Sequence, residues 1–234
     1  MSVKKVTLLA VVACFAAVSI AVGASGSSAQ QRLDARGVAS AVQRYYDQST
    51  VFSADFNQTY FQKLYNTYQR SSGRVYFKKP GKMRWDYAAP NGKIIVSDGT
   101  HIQYYEPGEA GQSGQMHEMP MRDSQLTGAL SFLTGTGRLE DQFTFRLLDA
   151  RQQGYPTGYV LELTPRQQTP HYERILLFVD ATSSALGVVH RVLILDAAGN
   201  RNRFDFRRMS WAATSVRDEQ FRWTPPRGTR RIAQ

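Results

Sequence analysis

Cysteine is almost absent. Cys14 is the single one in 234 residues, and it lies in an apolar run near the N-terminus. If that run is removed, the chain holds no thiol, which excludes disulfides, Cys-ligated metals and a thiol nucleophile and leaves stability to the core. Histidine is scarce too: His101, His117, His171 and His190 show no HExxH and no other paired spacing on one helix, so each reads as an ordinary surface or strand residue. The segment nearest to a G-x-S-x-G elbow, Gly111-Gln112-Ser113-Gly114, lacks the final glycine and a strand-to-helix setting. Phosphate-cradling and dinucleotide glycine patterns are missing. Asp98, Asp180 and Asp196 stand beside turn residues, where aspartate is favoured structurally, and a carboxylate pair across the sheet stays open. No catalytic residue, metal ligand or cofactor site is assigned, and an enzyme is not expected.

Acidic residues are outnumbered, 19 against 29 Lys and Arg, for a formal charge of +10. That balance favours solubility and attraction to anionic surfaces. Without zinc-finger spacing or an RNA-binding aromatic signature, nucleic acid is not an expected partner. The basic strand around Arg201, Arg203 and Arg207 either meets headgroups or a partner, or is a solvated face.

The longest apolar run, Val6 to Val22, falls just short of the about 18 residues expected of a spanning helix. Lys4 and Lys5 precede it and small residues from Gly23 to Ala29 follow, the order of a secretory signal. Cleavage fits after Ala24 or after Ala29. The expected division is therefore a removed signal at 1–29 and a single β domain at 30–234. A retained anchor and a lipid-modified Cys14, in the loose box Val11-Val12-Ala13-Cys14, are the alternatives.

Periodicity assigns the rest. Leu33, Val38, Val42 and Tyr45 predict a first helix over 33–47. Period-two alternation then dominates: Phe52, Ala54 and Phe56 against Ser53, Asp55 and Asn57, and Met83, Trp85 and Tyr87 against Lys82, Arg84 and Asp86. Asp98-Gly99 between two apolar runs is a hairpin cue. Leu126, Ala129, Leu130 and Leu133 predict a short helix over 123–133. Strands resume from Phe143, and Pro225-Pro226 ends regular pairing in the tail. Ten or eleven strands at hairpin spacing, without long crossovers, predict a curved antiparallel sheet or open barrel. The 12 Tyr, 12 Phe, 3 Trp and 6 Met supply a core, and a cavity lining if there is one.

The segment Phe77-Lys78-Lys79-Pro80-Gly81-Lys82-Met83-Arg84-Trp85-Asp86-Tyr87 resembles the LolA family of outer-membrane lipoprotein carriers. Phe52 to Gln58 upstream, then Ala89-Pro90, Ile95 to Gly99, Tyr104 to Pro107 and the tail Phe221 to Gly228 follow in the family's order. The resemblance covers about residues 38–228, with a poorly matched middle. It implies an incomplete, unclosed antiparallel β-barrel wrapped around a helical lid. It also implies a monomeric periplasmic chaperone that takes acylated lipoproteins from an inner-membrane ABC lipoprotein-releasing transporter to an outer-membrane receptor.

Alternation then gives Phe52, Phe56, Met83, Trp85, Ile102 and Tyr104 as the expected acyl-chain lining, and Leu126, Leu130 and Leu133 as the lid face. Where the family often carries an arginine implicated in lid closure, immediately before the proline, Lys79 stands here. A point charge replaces a planar fork. The rival readings are a membrane-anchored receptor of similar fold held through Cys14, a periplasmic hydrolase on a β scaffold, and an envelope module that binds lipid or protein without shuttling.

Overall fold

A computed structural model describes residues 32–109, 111–121 and 130–232. The signal reading of 1–29, and with it Cys14, lies outside the described residues. Helix α1, Ala35–Asp47, begins two residues later than the periodicity predicts. The reason is local: the Asp34 carboxylate accepts from the Gly37 N–H at 2.7 Å and fixes the N-cap there. The buried stripe is Val38, Val42 and Tyr46, one residue each four positions, so Tyr46 rather than Tyr45 faces inward.

Eleven strands follow: β1 Val51–Gln62, β2 Thr67–Lys78, β3 Lys82–Tyr87, β4 Ile94–Asp98, β5 His101–Glu106, β6 Gln115–Pro120, β7 Phe143–Leu148, β8 Gly158–Pro165, β9 Arg174–Asp180, β10 Val189–Leu195 and β11 Arg201–Ser210. A twelfth, β12 Arg230–Ile232, corrects the expected count. The prolines at 225 and 226 do halt pairing, but the chain resumes beyond them and lies parallel to β6. The single sheet runs β12-β6-β5-β4-β3-β2-β1-β11-β10-β9-β8-β7, and its edges, β12 and β7, do not pair with each other. Mainly β and unclosed, it matches the expected fold class. Bulges between Ser53 and Asp55 on β1 and between Val189 and Arg191 on β10 bend it.

β1 and β2 pair in register over their whole length, joined by the turn 63–66. Gly73 sits in the middle of β2 because Phe56 lies across it: a Cβ there would fall 2.9 Å from the Phe56 ring and 2.1 Å from the Asp86 carbonyl. The aromatic covers the bare backbone that a glycine otherwise leaves in a strand.

The concave face carries the main core, with Phe52, Phe77, Trp85, Leu161, Leu177 and Phe206 among its members. Two smaller apolar patches lie on the convex side. One packs Val51 and Tyr76 under Val216 and Phe221 of the C-terminal segment, and the other joins Val160, Leu176 and Phe178. β8 and β9 are thus buried on both faces, which explains their near-continuous apolar sequence.

Candidate functional site

The unclosed sheet is covered on its concave side by α1 and by residues 130–142 of the segment between β6 and β7. Among its described residues that segment holds two one-turn helices, α2 Ser131–Thr134 and α3 Leu139–Gln142. Of the helix predicted over 123–133, residues 123–129 lie outside the described residues, and Leu126 with them; α3 was not predicted. Leu130, Phe132, Leu133 and Leu139 are buried and share one apolar cluster with Phe52, Phe56, Met83, Trp85 and Ile102. The Tyr46 ring sits edge-on to Phe132, centroids 5.0 Å apart, and to Phe52 at 6.2 Å. Its hydroxyl accepts from the Val189 N–H at 3.2 Å, and burial pushes the phenol's pKa up. Gln43 ties the cover together: its Oε1 accepts from the Leu139 N–H and its Nε2 donates to Asp47, each at 2.9 Å.

Lys79 stands where β2 ends, at the junction of these pieces. Its ammonium donates to the Tyr46 carbonyl, in the last turn of α1. Orphan carbonyls and the negative end of the helix dipole favour a cation there. Its stem lies against Gly135, where a Cβ would come within 2.8 Å of Lys79 Cδ. Two residues on, the Gly81 N–H donates to the Thr134 carbonyl at 3.0 Å. The Lys79–Gly81 corner therefore holds the ends of both α1 and α2. Desolvation lowers the Lys79 pKa, and the Asp47 charge partly opposes this.

Two openings flank the cover. A cavity of about 810 Å³ lies between the tips of β4–β5 and β6 on one side and the β8–β9 connection on the other. Thr100, Met121, Thr136, Gln142, Arg166 and Tyr172 are among its walls. A second, of about 360 Å³, lies beyond the cover at the β1–β2 hairpin end. Tyr87, Ile95, Tyr104 and Phe204 give it an apolar wall, while Gln58, Gln69, Asn91, Lys93, Glu106 and Asn202 make the larger part of its lining polar, Gln58 and Asn202 being hydrogen-bonded at 2.8 Å. Both volumes fall within the roughly 300–1,000 Å³ of ligand sites.

Of the six predicted lining residues, five are fully buried in the core beneath the cover, and Tyr104 alone borders the 360 Å³ pocket. Trp85 packs among Phe56, Phe77, Phe204 and Phe206, and its indole N–H is buried with no acceptor among the described residues. Sequence reasoning missed Phe132, Leu139, Tyr46 and Gln43. The four-residue spacing Val38-Val42-Tyr46 was a signal for one of them. Nothing in the sequence announces that a glutamine caps a helix distant in sequence.

The turn aspartates serve their own turns. Asp98 accepts from the Thr100 and His101 N–H groups at 2.8 and 3.0 Å, and Asp196 from the Asn200 N–H at 2.9 Å. Asp180 accepts from the Thr182 N–H at 2.8 Å and pairs with His190 Nε2 at 3.0 Å. At Asp98 and Asp180 burial raises the pKa, but these hydrogen bonds outweigh it and hold both below the usual range. Among the described residues no group of three or more His, Cys, Asp or Glu is placed to hold a metal, and no helix is long and apolar enough to cross a membrane.

Residues 47–224 match the family model described as outer membrane lipoprotein carrier protein LolA. An outer-membrane lipoprotein carrier protein from Nitrosomonas europaea is 28% identical, covering 79% of this chain and 83% of its own. One from Nitrosospira multiformis is 27% identical, covering 86% and 90%. A solved LolA superfamily protein from Nitrosomonas europaea overlaps 82% of this chain and 99% of its own at 14% identity and a TM-score of 0.43.

Proposed function

The chain belongs to the LolA family of outer membrane lipoprotein carriers, and from that premise we propose that its covered concave face shelters the acyl chains of lipoproteins in transit across the periplasm. The observation that carries this reading is the competition built into the cover. Leu130, Phe132, Leu133 and Leu139 occupy the same apolar surface, with Phe52, Phe56, Met83, Trp85 and Ile102, that a fatty chain would need. Each acyl CH₂ left in water costs about 0.8 kcal/mol, so a lipoprotein cannot cross an aqueous compartment bare. Exchanging lid side chains for acyl chains trades one apolar contact for another. The two states stay close in free energy, and loading and release both remain possible.

In this reading Lys79 is the latch, and Tyr104 with the 360 Å³ pocket receives the part of the chain that extends past the lid. Cargo comes from an inner-membrane ABC transporter and passes to an outer-membrane receptor. The carrier works as a monomer, without cofactor and without catalysis, as its family's transport role implies.

Native purification followed by mass spectrometry of bound material tests it. Recovery of N-terminally acylated protein is expected, together with a mature N-terminus near Gln30. A carrier that emerges only empty, or with free lipid alone, defeats the reading. A diacylglyceryl group on Cys14 would favour the anchored receptor instead.

A further inference from the structure

The β1–β2 hairpin runs on beyond Gly73, where β2 last pairs with β3, and ends in Lys63-Leu64-Tyr65-Asn66, while on its other side β1 stays paired with β11 as far as Phe61–Arg201. Leu64, Tyr65 and Tyr68 are 82, 66 and 59% exposed, and they are the exposed large apolar side chains of the described residues. Such residues scattered singly need no explanation; three gathered at one protruding turn do. Cations surround them. The Arg201 guanidinium lies 5.1 Å over the Phe61 ring, which in turn meets Tyr68 at 4.7 Å, all three being cross-strand partners. Arg70 projects two residues back on the same face, and Lys63 begins the turn.

Many cations elsewhere on the sheet are ion-paired, although Arg207, Arg230 and Arg231 are not among them. Arg74 and Arg208 share Asp55, Arg191 and Arg203 share Asp205, and Lys78 and Lys82 share Asp218. Lys63, Arg70 and Arg201 make no ion pair with any described carboxylate. The tip thus combines an aliphatic side chain, two tyrosines and a ring of uncompensated positive charge. Tyrosine favours the water–hydrocarbon boundary because its ring is apolar and its hydroxyl is wet. Each basic residue near an anionic leaflet adds attraction that falls off within a Debye length.

We propose that this hairpin tip docks the protein on the anionic surface of a phospholipid bilayer. Leu64 and Tyr65 enter the interface, and Lys63, Arg70 and Arg201 meet headgroup phosphates. A stable protein partner needs about 800 Å² on each side, and three side chains at a turn offer far less. Few apolar groups and few charges make docking reversible, which suits a protein that must leave again. Lys63, Leu64, Tyr65, Arg70 and Arg201 lie apart from the lid and are not among the walls of the 360 Å³ pocket, so docking and cargo binding can fail independently.

Flotation of the purified protein with vesicles of phosphatidylethanolamine, with and without phosphatidylglycerol, tests the docking. Binding is expected to the anionic vesicles and to fall with salt. Leu64→Glu should weaken it at least about tenfold, the equivalent of one buried leucine. Arg70→Gln and Arg201→Gln should weaken it roughly fivefold each. A Tyr65→Trp variant should shift its fluorescence to the blue on anionic vesicles. These side chains are exposed, so the melting temperature should hold in every variant. Equal binding to neutral vesicles, no binding to either, or anionic binding that ignores Leu64→Glu would overturn the proposal. So would a tip that binds a purified envelope protein and no vesicle.

Discussion

The ammonium of Lys79 reaches the main-chain carbonyl of Tyr46, tying the end of β2 to the last turn of α1. Around this one bond the Gly81–Thr134 hydrogen bond and the Lys79–Gly135 packing bring the second lid helix to the same corner. The cover is thus held at its helix ends and filled from below by apolar side chains, two features that separate substitutions can probe.

Lys79→Ala removes the proposed latch together with its stem's contact with Gly135, and leaves the apolar packing beneath the cover. Because the lysine is only partly buried, its bond should be worth only about 1 kcal/mol, a roughly fivefold rise in lid opening. Hydrogen exchange of residues 130–142 should quicken by that factor, with the strands unaffected. Lys79→Arg should act in the opposite sense and slow release of bound lipoprotein, because a guanidinium offers more donors in a fixed fork. Release rates unchanged by the arginine would count against the latch.

Gly135 has φ of +68° and no room for a side chain beside Lys79. Gly135→Ala should therefore reproduce the loss of the latch without touching the lysine. The left-handed backbone alone costs roughly 1–2 kcal/mol. Faster exchange across 130–142 is expected, and combining it with Lys79→Ala should add little. Full additivity would mean that the two act on separate parts of the lid.

Phe132 is fully buried against Tyr46. Truncating such a ring costs about 3–5 kcal/mol, charged here mainly to the closed lid. Phe132→Ala should bind a hydrophobic dye in the cargo-free state and take up acylated cargo faster than the parent. A dye-silent variant that simply melts at a lower temperature would make Phe132 ordinary core.

A charge at Met83 should weaken lipoprotein binding, but Met83 is fully buried, so Met83→Glu also threatens the fold. Tyr104, on the open 360 Å³ pocket, gives the cleaner measurement. Tyr104→Lys should lower acyl-cargo affinity by about tenfold, the cost of a desolvated charge discounted for an open pocket, and, because Tyr104 packs only in part against the core, should lower the melting temperature less than Met83→Glu does. Unaltered affinity in calorimetry would remove the pocket from the cargo path.

Asp218 fastens the C-terminal segment to the convex face through Lys78 and Lys82, each at 2.8 Å. Hydrogen bonds from Lys78 and then Lys82 lower its pKa from 3.8 to about 2. The docked form binds fewer protons than the undocked one between those values, so docking is fully favoured above pH 3.8 and loses this support as pH falls toward 2. Limited acid proteolysis should cut near residues 213–223 more readily across that window. Asp218→Asn should show the raised susceptibility at neutral pH and lose the pH dependence.

The alternation of β1 and β3, the Asp98-Gly99 hairpin and the absence of crossovers determined by themselves that this chain makes an antiparallel sheet with one greasy face. Side-chain direction in a strand depends only on parity, so Phe52, Phe56, Met83 and Trp85 could be placed on that face from sequence. The ordered motifs from Phe77 to Tyr87 gave the family. What only the tertiary structure decided depends on residues far apart in the chain: that β12 pairs with β6 after two prolines, that Gln43 caps α3, that Phe132 fills the face it covers, and that Lys79 reaches Tyr46 rather than solvent. A one-turn helix such as α3 has too few residues to show a period, and a hydrogen bond between distant elements leaves no local pattern to read. Its partner is fixed only when the sheet has curved enough to bring the two together.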